Sequence, residues 1–555
     1  MRLRSGGELV VDSLLAHGAT HLFGVPGESY LPILDALHDV GDRLTFVTCR
    51  QEGGAAYMAE AHGKLTGRPG VALVTRGPGA SNAAIGIHTA AQDSTPMIVL
   101  VGQVDTGSTD REAFQEIDYR RMFGSVAKWA AQVDRAERIP EYLSRAFVTA
   151  MSGRPGPVVL ALPEDVLATR AVAADLPYAS PVASAPSEAD VRAAHALLAK
   201  AARPLVLVGG SRWDGGASAA LTAFAARHDL PVACGFRRQD LIDNRHANYV
   251  GDVGIAVNPA LATRIRDADV LLVIGERLGE ITTTGYSVPA APLPTQALIH
   301  VHPGVEELGR VYRPAVAIAA TPAAFLAALA KFPALPGERW RASTTAAHAE
   351  YEAWRVPRPV PGDMDLWQVV RWLDERLPDD AILANGAGNY TTWLHRVYRY
   401  RQPGTQLAPY SGSMGYGVPA AVAAKLVHPQ RIVVSWNGDG CFLMNGQELA
   451  TAVRYGADVV FVVIDNGMYG TIRMHQERRY PDRVVGSSLS NPDFAALARA
   501  FGAHGETLRH TGEFAPAFER ALNAGRPALL HVVLDPQALT MNATLDSIRA
   551  AGGLR

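Results

Sequence analysis

Asp439 and Asn466, 27 residues apart, are the pair in this 555-residue sequence best suited to hold a hard cation. Asp439 lies between Gly438 and Gly440, just past an apolar run that ends at Trp436. Asn466 follows a second apolar run, 459–464, rich in β-branched residues. One carboxylate, one amide oxygen and one backbone carbonyl, that of Met468, leave room for two phosphate oxygens and a water. That is the octahedron of a Mg²⁺ ion held partly through phosphates. The glycines let the turn Gly438, Asp439, Gly440 and Cys441 approach a diphosphate closely. A lone Gly-Asp-Gly is a common turn; the second polar strand end makes the pattern specific.

A βαβ unit is needed to bring these residues together, and 431–468 supplies one. It reads as an apolar run, a tight turn, helical spacing over 447–455, a second apolar run and the turn Asp465-Asn466-Gly467. A right-handed crossover sets the two strand ends side by side, and open α/β sheets bind ligands at carboxyl strand ends. The rest of the chain repeats the alternation. Strands are predicted at 21–24, 44–48, 70–75, 97–102 and 158–162, with helices near 8–17 and 52–65. Further strands are predicted at 204–208, 270–274 and 297–301. The Ala-, Pro- and Ser-rich stretch 171–189 reads as a linker. The segment 333–365 reads as a second long connection, and the tail 539–555 as a lid or a frayed end. The expected fold class is α/β, with three doubly wound parallel-sheet domains at 1–170, 190–333 and 365–540.

At 48% hydrophobic and 19% charged residues, the chain is globular and too long for one core. A formal net charge of −2 argues against a nucleic-acid partner. No apolar run approaches membrane-spanning length. The N-terminal stretch reads as an amphipathic helix rather than a signal peptide, because Glu8 and Asp12 interrupt it. The three cysteines, Cys49, Cys234 and Cys441, lack metal-ligand spacing and point to a reducing, cytoplasmic location.

The Gly-Asp-Gly turn, the interval and the Asn resemble the signature of thiamine diphosphate enzymes. The wider segment GDGCFLMNGQELATA is similar to the acetolactate synthase-like large-subunit branch. The resemblance covers nearly the whole chain. It implies thiamine diphosphate and Mg²⁺ as cofactors, with Asp439, Asn466 and Met468 as metal ligands. Glu52, in RQEGGAAYMAEAHGKLTG, matches the carboxylate that bonds the aminopyrimidine and favours the imino tautomer, the base for the thiazolium carbon. Met414, in YSGSMGYG, matches the wedge that bends the two rings together, and the Gly412 carbonyl matches an acceptor for the aminopyrimidine. Asn389 and Tyr390 stand where relatives hold the diphosphate with Gln-His. In this family the Glu and the metal site come from different subunits. A homodimer or homotetramer with active sites at the interface is therefore implied.

The same resemblance marks substrate residues. Gln115 matches the Gln of an AFQE motif that lies near the substrate, and Lys128 sits in a similar flanking segment. Tyr469, Arg473 and His475 are expected at the start of a helix over the site. Glu28, in FGVPGE, stands where synthases usually have Gly and simple 2-oxo acid decarboxylases have Asp. A carboxylate there can protonate a carbanion or shuttle protons, and it repels a substrate carboxylate. Other departures are Pro163-Glu164-Asp165 for Pro-Lys-Asp, Gly251-Asp252-Val253-Gly254-Ile255 for Gly-Met-x-Gly-Met-His-Gly, and Gly275-Glu276-Arg277-Leu278 without the following Asp-Asp-Arg. The last two segments surround FAD in the biosynthetic enzymes, so FAD is in doubt. The expected reaction is decarboxylation of a 2-oxo acid, pyruvate, with transfer to a second carbonyl. The alternatives are a non-carboligating decarboxylase, a thiamine diphosphate-dependent lyase or hydrolase of a ketone, and a catalytically silent cofactor-binding scaffold.

Overall fold

Short apolar runs become the buried central strands of parallel sheets in the computed structural model, which describes residues 2–178 and 180–553. Strands covered on both faces by helices need no polar alternation, which is why they read as continuous apolar runs. There are three six-stranded sheets, and every pairing within them is parallel.

The first sheet has the spatial order Thr45–Thr48, His21–Gly24, Gly70–Val74, Met97–Gln103, Pro157–Pro163, Trp129–Gln132. The third runs Gln406–Leu407, Ile382–Asn385, Val433–Gly438, Val460–Asp465, Ala528–Val533, His504–Leu508. Counted along the chain within each sheet, both orders are 2-1-3-4-6-5. The middle sheet differs: Tyr249–Asp252, Val232–Cys234, Pro204–Val208, Val270–Ile274, Ala297–His302, Val316–Ala319 gives 3-2-1-4-5-6. Each sheet has a switch point where the order reverses, and crevices for ligands open there.

The outer domains share one core. Helix Glu52–Thr66 packs on helix Gly417–Val427, and both contribute small buried residues, Ala55 and Ala56 on one and Ala420, Ala421 and Ala424 on the other, to the shared core. Buried Glu448 accepts the Arg50 and Gln51 amides, each at 3.0 Å, so the segment after Asp439 grips the backbone just ahead of Glu52.

Several expectations change. Strands Trp129–Gln132 and Val232–Cys234 escaped the sequence reading because four or three residues carry no legible period. The predicted turn at Asp439 opens a short helix, Asp439–Phe442, and the helix expected over 447–455 begins as a 3₁₀ turn before Leu449–Arg454. The segment 333–365 is not simply a connection. It holds helix Arg341–Trp354, which buries Thr344, Ala347 and Tyr351. Prolines on both sides and an alanine-rich buried face hid it. Of the tail, Leu545–Ala550 is helical, while residues 554 and 555 lie outside the described residues. Residue 179 of the linker does too, and Arg170–Val172 pairs antiparallel with Leu3–Ser5.

Candidate functional site

The switch point of the third sheet opens into a cavity of about 370 Å³. Three strand ends feed it. Ile382–Asn385 leads into Gly386 to Tyr390, Val433–Gly438 into Asp439, and Val460–Asp465 into Asn466. The register pairs Gly438 with Ile464, so Asp439 and Asn466 follow adjacent strand ends on the same edge. Asn389, Tyr390, Gly412, Met414, Gly438, Asp439, Gly440, Cys441, Asn466 and Met468 all line this one cavity. Its far wall comes from the middle domain and the unforeseen helix, through Phe236, Arg237, Asp252, Tyr351 and Trp354.

Asp439 is buried and tightly held. The Gly440 amide donates to Oδ1 and Asn491 Nδ2 to Oδ2, both at 2.8 Å. Asn491 also donates to Asp465 Oδ1 at 2.8 Å, and His531 Nε2 meets Asp465 Oδ2 at 2.9 Å. Burial, with the neighbouring Asp465 carboxylate, pushes Asp439 up to about 6 against those hydrogen bonds. At Asp465 burial is outweighed by His531, the Gly467 amide and Asn491, and the group is held below its ordinary value. A buried carboxylate that resists ionisation is relieved by a cation. Asp465, Asn491 and His531 were missed in the sequence. Asp465 is visible beside Asn466, but nothing local marks Asn491 or His531.

The residues fit a diphosphate and a hard cation. A Cβ on Gly438 would lie 2.8 Å from the Tyr390 ring, and one on Gly440 would lie 2.5 Å from the Tyr469 ring, so only glycine keeps this floor open. Tyr390 lines the cavity, and its buried hydroxyl has no hydrogen-bond partner among the described residues. Among the described residues no three His, Cys, Asp or Glu side chains cluster as a preformed metal cage. A Mg²⁺ ion that takes ligands from phosphates does not need one.

Two elements fix Met414 and cover the cavity. The Met414 carbonyl accepts the Tyr57 hydroxyl at 3.3 Å, Thr89 meets Ser411 and Ser413 at 3.1 Å each, and Asp93 accepts the Tyr410 amide at 2.8 Å. The loop therefore hangs on helices of the first domain. Over the cavity, Asn389 donates to the Leu539 carbonyl at 3.1 Å and accepts Thr471 Oγ1 at 2.9 Å. Met468, Leu539, Leu545 and Ile548 form a small apolar cluster, so the terminal helix acts as a cover.

That cover is latched by Glu477. Fully buried, it accepts Arg549 through Nε at 3.0 Å and Nη2 at 2.9 Å, Arg473 Nε at 2.9 Å and the Asp482 amide at 3.0 Å. Arg549 foremost, with Asp482 and Arg473, holds the Glu477 carboxyl down to about 2. A carboxyl lowered in the folded state contributes stability fully above its unfolded value and loses it as pH falls toward 2. Glu477→Gln is expected to free the terminal helix, read as lost hydrogen-exchange protection over 545–550. Unchanged protection would show that the latch lies elsewhere.

The first domain's candidates stand apart from the cavity. Glu52 begins its helix half-buried and accepts Asn82 Nδ2 at 2.9 Å. Glu28 and Gln115 sit on the same carboxyl edge, Gln115 at φ 68°. None of the three lines the cavity of its own chain. Three sequence candidates point away from it too. Lys128 Nζ donates to the Thr149 and Ser152 carbonyls at 2.6 Å, Arg473 serves Glu477, and His475 is exposed. Tyr469 does line the cavity.

Comparison with known proteins adds the family. Residues 4–122, 191–329 and 386–532 match the descriptions "Thiamine pyrophosphate enzyme" N-terminal TPP binding domain, central domain and C-terminal TPP binding domain. The chain is 32% identical to the "Acetolactate synthase isozyme 2 large subunit" of Escherichia coli (strain K12), over 96% of each chain. It is 32% identical to the "Probable acetolactate synthase large subunit" of Methanocaldococcus jannaschii, over 97% of this chain and 93% of that one. It is 31% identical to the "Acetolactate synthase large subunit" of Corynebacterium glutamicum, over 99% and 91%. With matches across all three domains, the chain belongs to the thiamine pyrophosphate enzyme family, on its acetolactate synthase-like branch.

Proposed function

We propose that the protein decarboxylates a 2-oxo acid, pyruvate foremost, and joins the remaining acyl unit to a second carbonyl, with thiamine diphosphate and Mg²⁺ as cofactors. The observation that carries this is the single cavity in which Asp439 and Asn466 meet the Met414 loop at a sheet switch point. Thiamine diphosphate, when bound, supplies the nucleophilic carbon and the electron sink. Asp439, Asn466 and the Met468 carbonyl would hold the cation, and the Gly438–Gly440 floor and Tyr390 the diphosphate. Glu52 would hold a proton at the aminopyrimidine ring. Met468, Leu539 and the terminal helix exclude water.

We infer that a second copy completes each site, as homodimer or homotetramer. Glu52, Glu28 and Gln115 lie outside the cavity of their own chain, and Glu448 ties the backbone just ahead of Glu52 to the segment that follows Asp439 in that chain. Each chain thus offers two half-sites. Three free, buried cysteines support a reducing, cytoplasmic location. Among the described residues no helix is long and apolar enough to cross a membrane.

FAD is not part of this proposal. The middle domain's switch point lies between Pro204–Val208 and Val270–Ile274, where a dinucleotide would sit. There the buried Glu276 carboxylate packs against Gly209 and Gly235, and a Cβ on either would collide with it. Glu276 accepts the Arg277 amide at 3.0 Å and Thr282 Oγ1 at 3.3 Å, and only about 20 Å³ remains beside it. This filling of the switch point supports leaving FAD out of the proposal. The purified protein is expected to show no flavin absorption band; a stoichiometric band would refute this point.

The function is tested by supplying Mg²⁺, thiamine diphosphate and a panel of 2-oxo acids and aldehydes. Release of CO₂ together with a new carbon–carbon bond is the expected result. Release of CO₂ with free aldehyde as the only product would favour the simple decarboxylase, a reading that the exposed Glu28 carboxylate also suits.

A further inference from the structure

The switch point of the first sheet carries an unusual set of charges. Arg76, just after Gly70–Val74, is almost fully buried, and its guanidinium meets three segments. Nη1 contacts Glu164, which opens the helix after Pro157–Pro163. Nη2 lies 3.6 Å from Glu28, past the end of His21–Gly24, and Nε donates to the Phe114 carbonyl at 3.3 Å. One guanidinium against two carboxylates leaves this rim net negative. Lys128 is bound elsewhere and supplies no compensation. Next to the acids the Phe114 residue is 75% exposed. Gln115 is pressed against Gly77, where a Cβ would come within 2.8 Å of the Gln115 Cβ. The rim is acidic and apolar at once.

Such a rim treats the two substrates differently. The donor's carboxylate leaves as CO₂, so repulsion acts on it only until that bond breaks and favours the breaking. A carboxylate on the acceptor would stay through bond formation and remain in the product. We propose that the acceptor is an uncharged aldehyde rather than a second 2-oxo acid. This rests on the carboligase reading above and narrows it. The bond from the donor's carbonyl carbon to its carboxylate breaks, and that carbon joins the aldehyde carbon. The aldehyde oxygen takes one proton. One 2-oxo acid, one aldehyde and one proton give one 2-hydroxy ketone and one CO₂, with no oxidant or reductant. Glu28 and Glu164 set this preference, and Arg76 is the positioning residue that holds both.

The experiment gives the full-length protein, with Mg²⁺ and thiamine diphosphate, pyruvate alone or pyruvate with equimolar acetaldehyde. CO₂, acetoin and acetolactate are quantified. Acetoin is expected to exceed acetolactate at least tenfold in the mixture, with acetolactate decarboxylation excluded by adding acetolactate alone. Glu164→Lys, which restores a cation, and Glu28→Gln are each expected to move the ratio at least fivefold toward acetolactate. Calorimetric titration with propionate, an unreactive carboxylate, reads the same effect without turnover and should show tighter binding to both variants. Acetolactate as the main wild-type product, or variants that leave both the ratio and propionate binding unchanged, would overturn the inference alone. No CO₂ from any 2-oxo acid would overturn the carboligase reading and this inference with it.

Discussion

Glu52→Gln lowers turnover by about 10³-fold, in the range of a lost general acid–base group, while cofactor binding stays within a few-fold. The substitution is clean because the fold does not depend on the charge. Gln51, not Glu52, caps the helix, its side chain accepting the Gly54 amide at 3.0 Å. The backbone ahead of it is held by Glu448. A glutamine can still accept the Asn82 hydrogen bond, but its neutral amide neither takes up a proton nor stabilises one on the aminopyrimidine. The decisive measurement is hydrogen–deuterium exchange at the thiazolium carbon of bound cofactor. Exchange as fast as wild type would remove Glu52 from the activation step, whatever happened to turnover. Mixing Glu52→Gln with Asp439→Ala protein tests the shared site. Hybrid dimers would carry one intact pair of half-sites and recover activity; no recovery would speak against interface sites.

Asp439→Asn has an equally large effect by another route. The only carboxylate among the three proposed protein ligands is lost, so Mg²⁺ and thiamine diphosphate no longer stabilise the protein. A ligand at about 100 times its Kd stabilises by roughly 2.7 kcal/mol, and that shift in Tm should vanish. Turnover should fall at least ~10³-fold. The unliganded variant should melt no lower than wild type, because Asp439 ionises against burial and against Asp465. Asparagine keeps the shape without the charge. A variant that folds as well without this carboxylate is the signature of a residue kept for binding rather than for folding. A cofactor-induced shift preserved in Asp439→Asn would place the cation elsewhere.

Much of this was legible in single stretches of sequence. Runs of five or six apolar residues, such as 270–274 and 97–102, announced buried parallel strands because the hydrophobic signal of such a strand is purely local. The floor of the cavity was legible for the same reason. Gly438, Asp439 and Gly440 are consecutive, and Asn466 is one crossover away. The clasp on Asp439 was not. Asn491 arrives on a loop whose Leu489 amide bonds Gly467, a pairing no residue type signals. Lys128 and Arg473 are engaged away from the cavity because a long cation finds whichever acceptors the fold brings near. Here those were two helix-end carbonyls and a buried Glu477.

The sequence by itself determined the chemistry that a βαβ unit can perform at its strand ends, since residue identity and short spacing decide which ligands such a turn can hold. It also carried the three α/β repeats and the family. Only the tertiary structure decided which residues share a cavity. Strand order and domain packing, not spacing, set Glu52 outside the cavity that holds Asp439 while tying both to one rigid core through Glu448. They also set Glu28, Arg76 and Glu164, from three separate strand ends, into one charged rim. Charge balance at a site is a sum over segments far apart in the chain, and only folding fixes which ones are added.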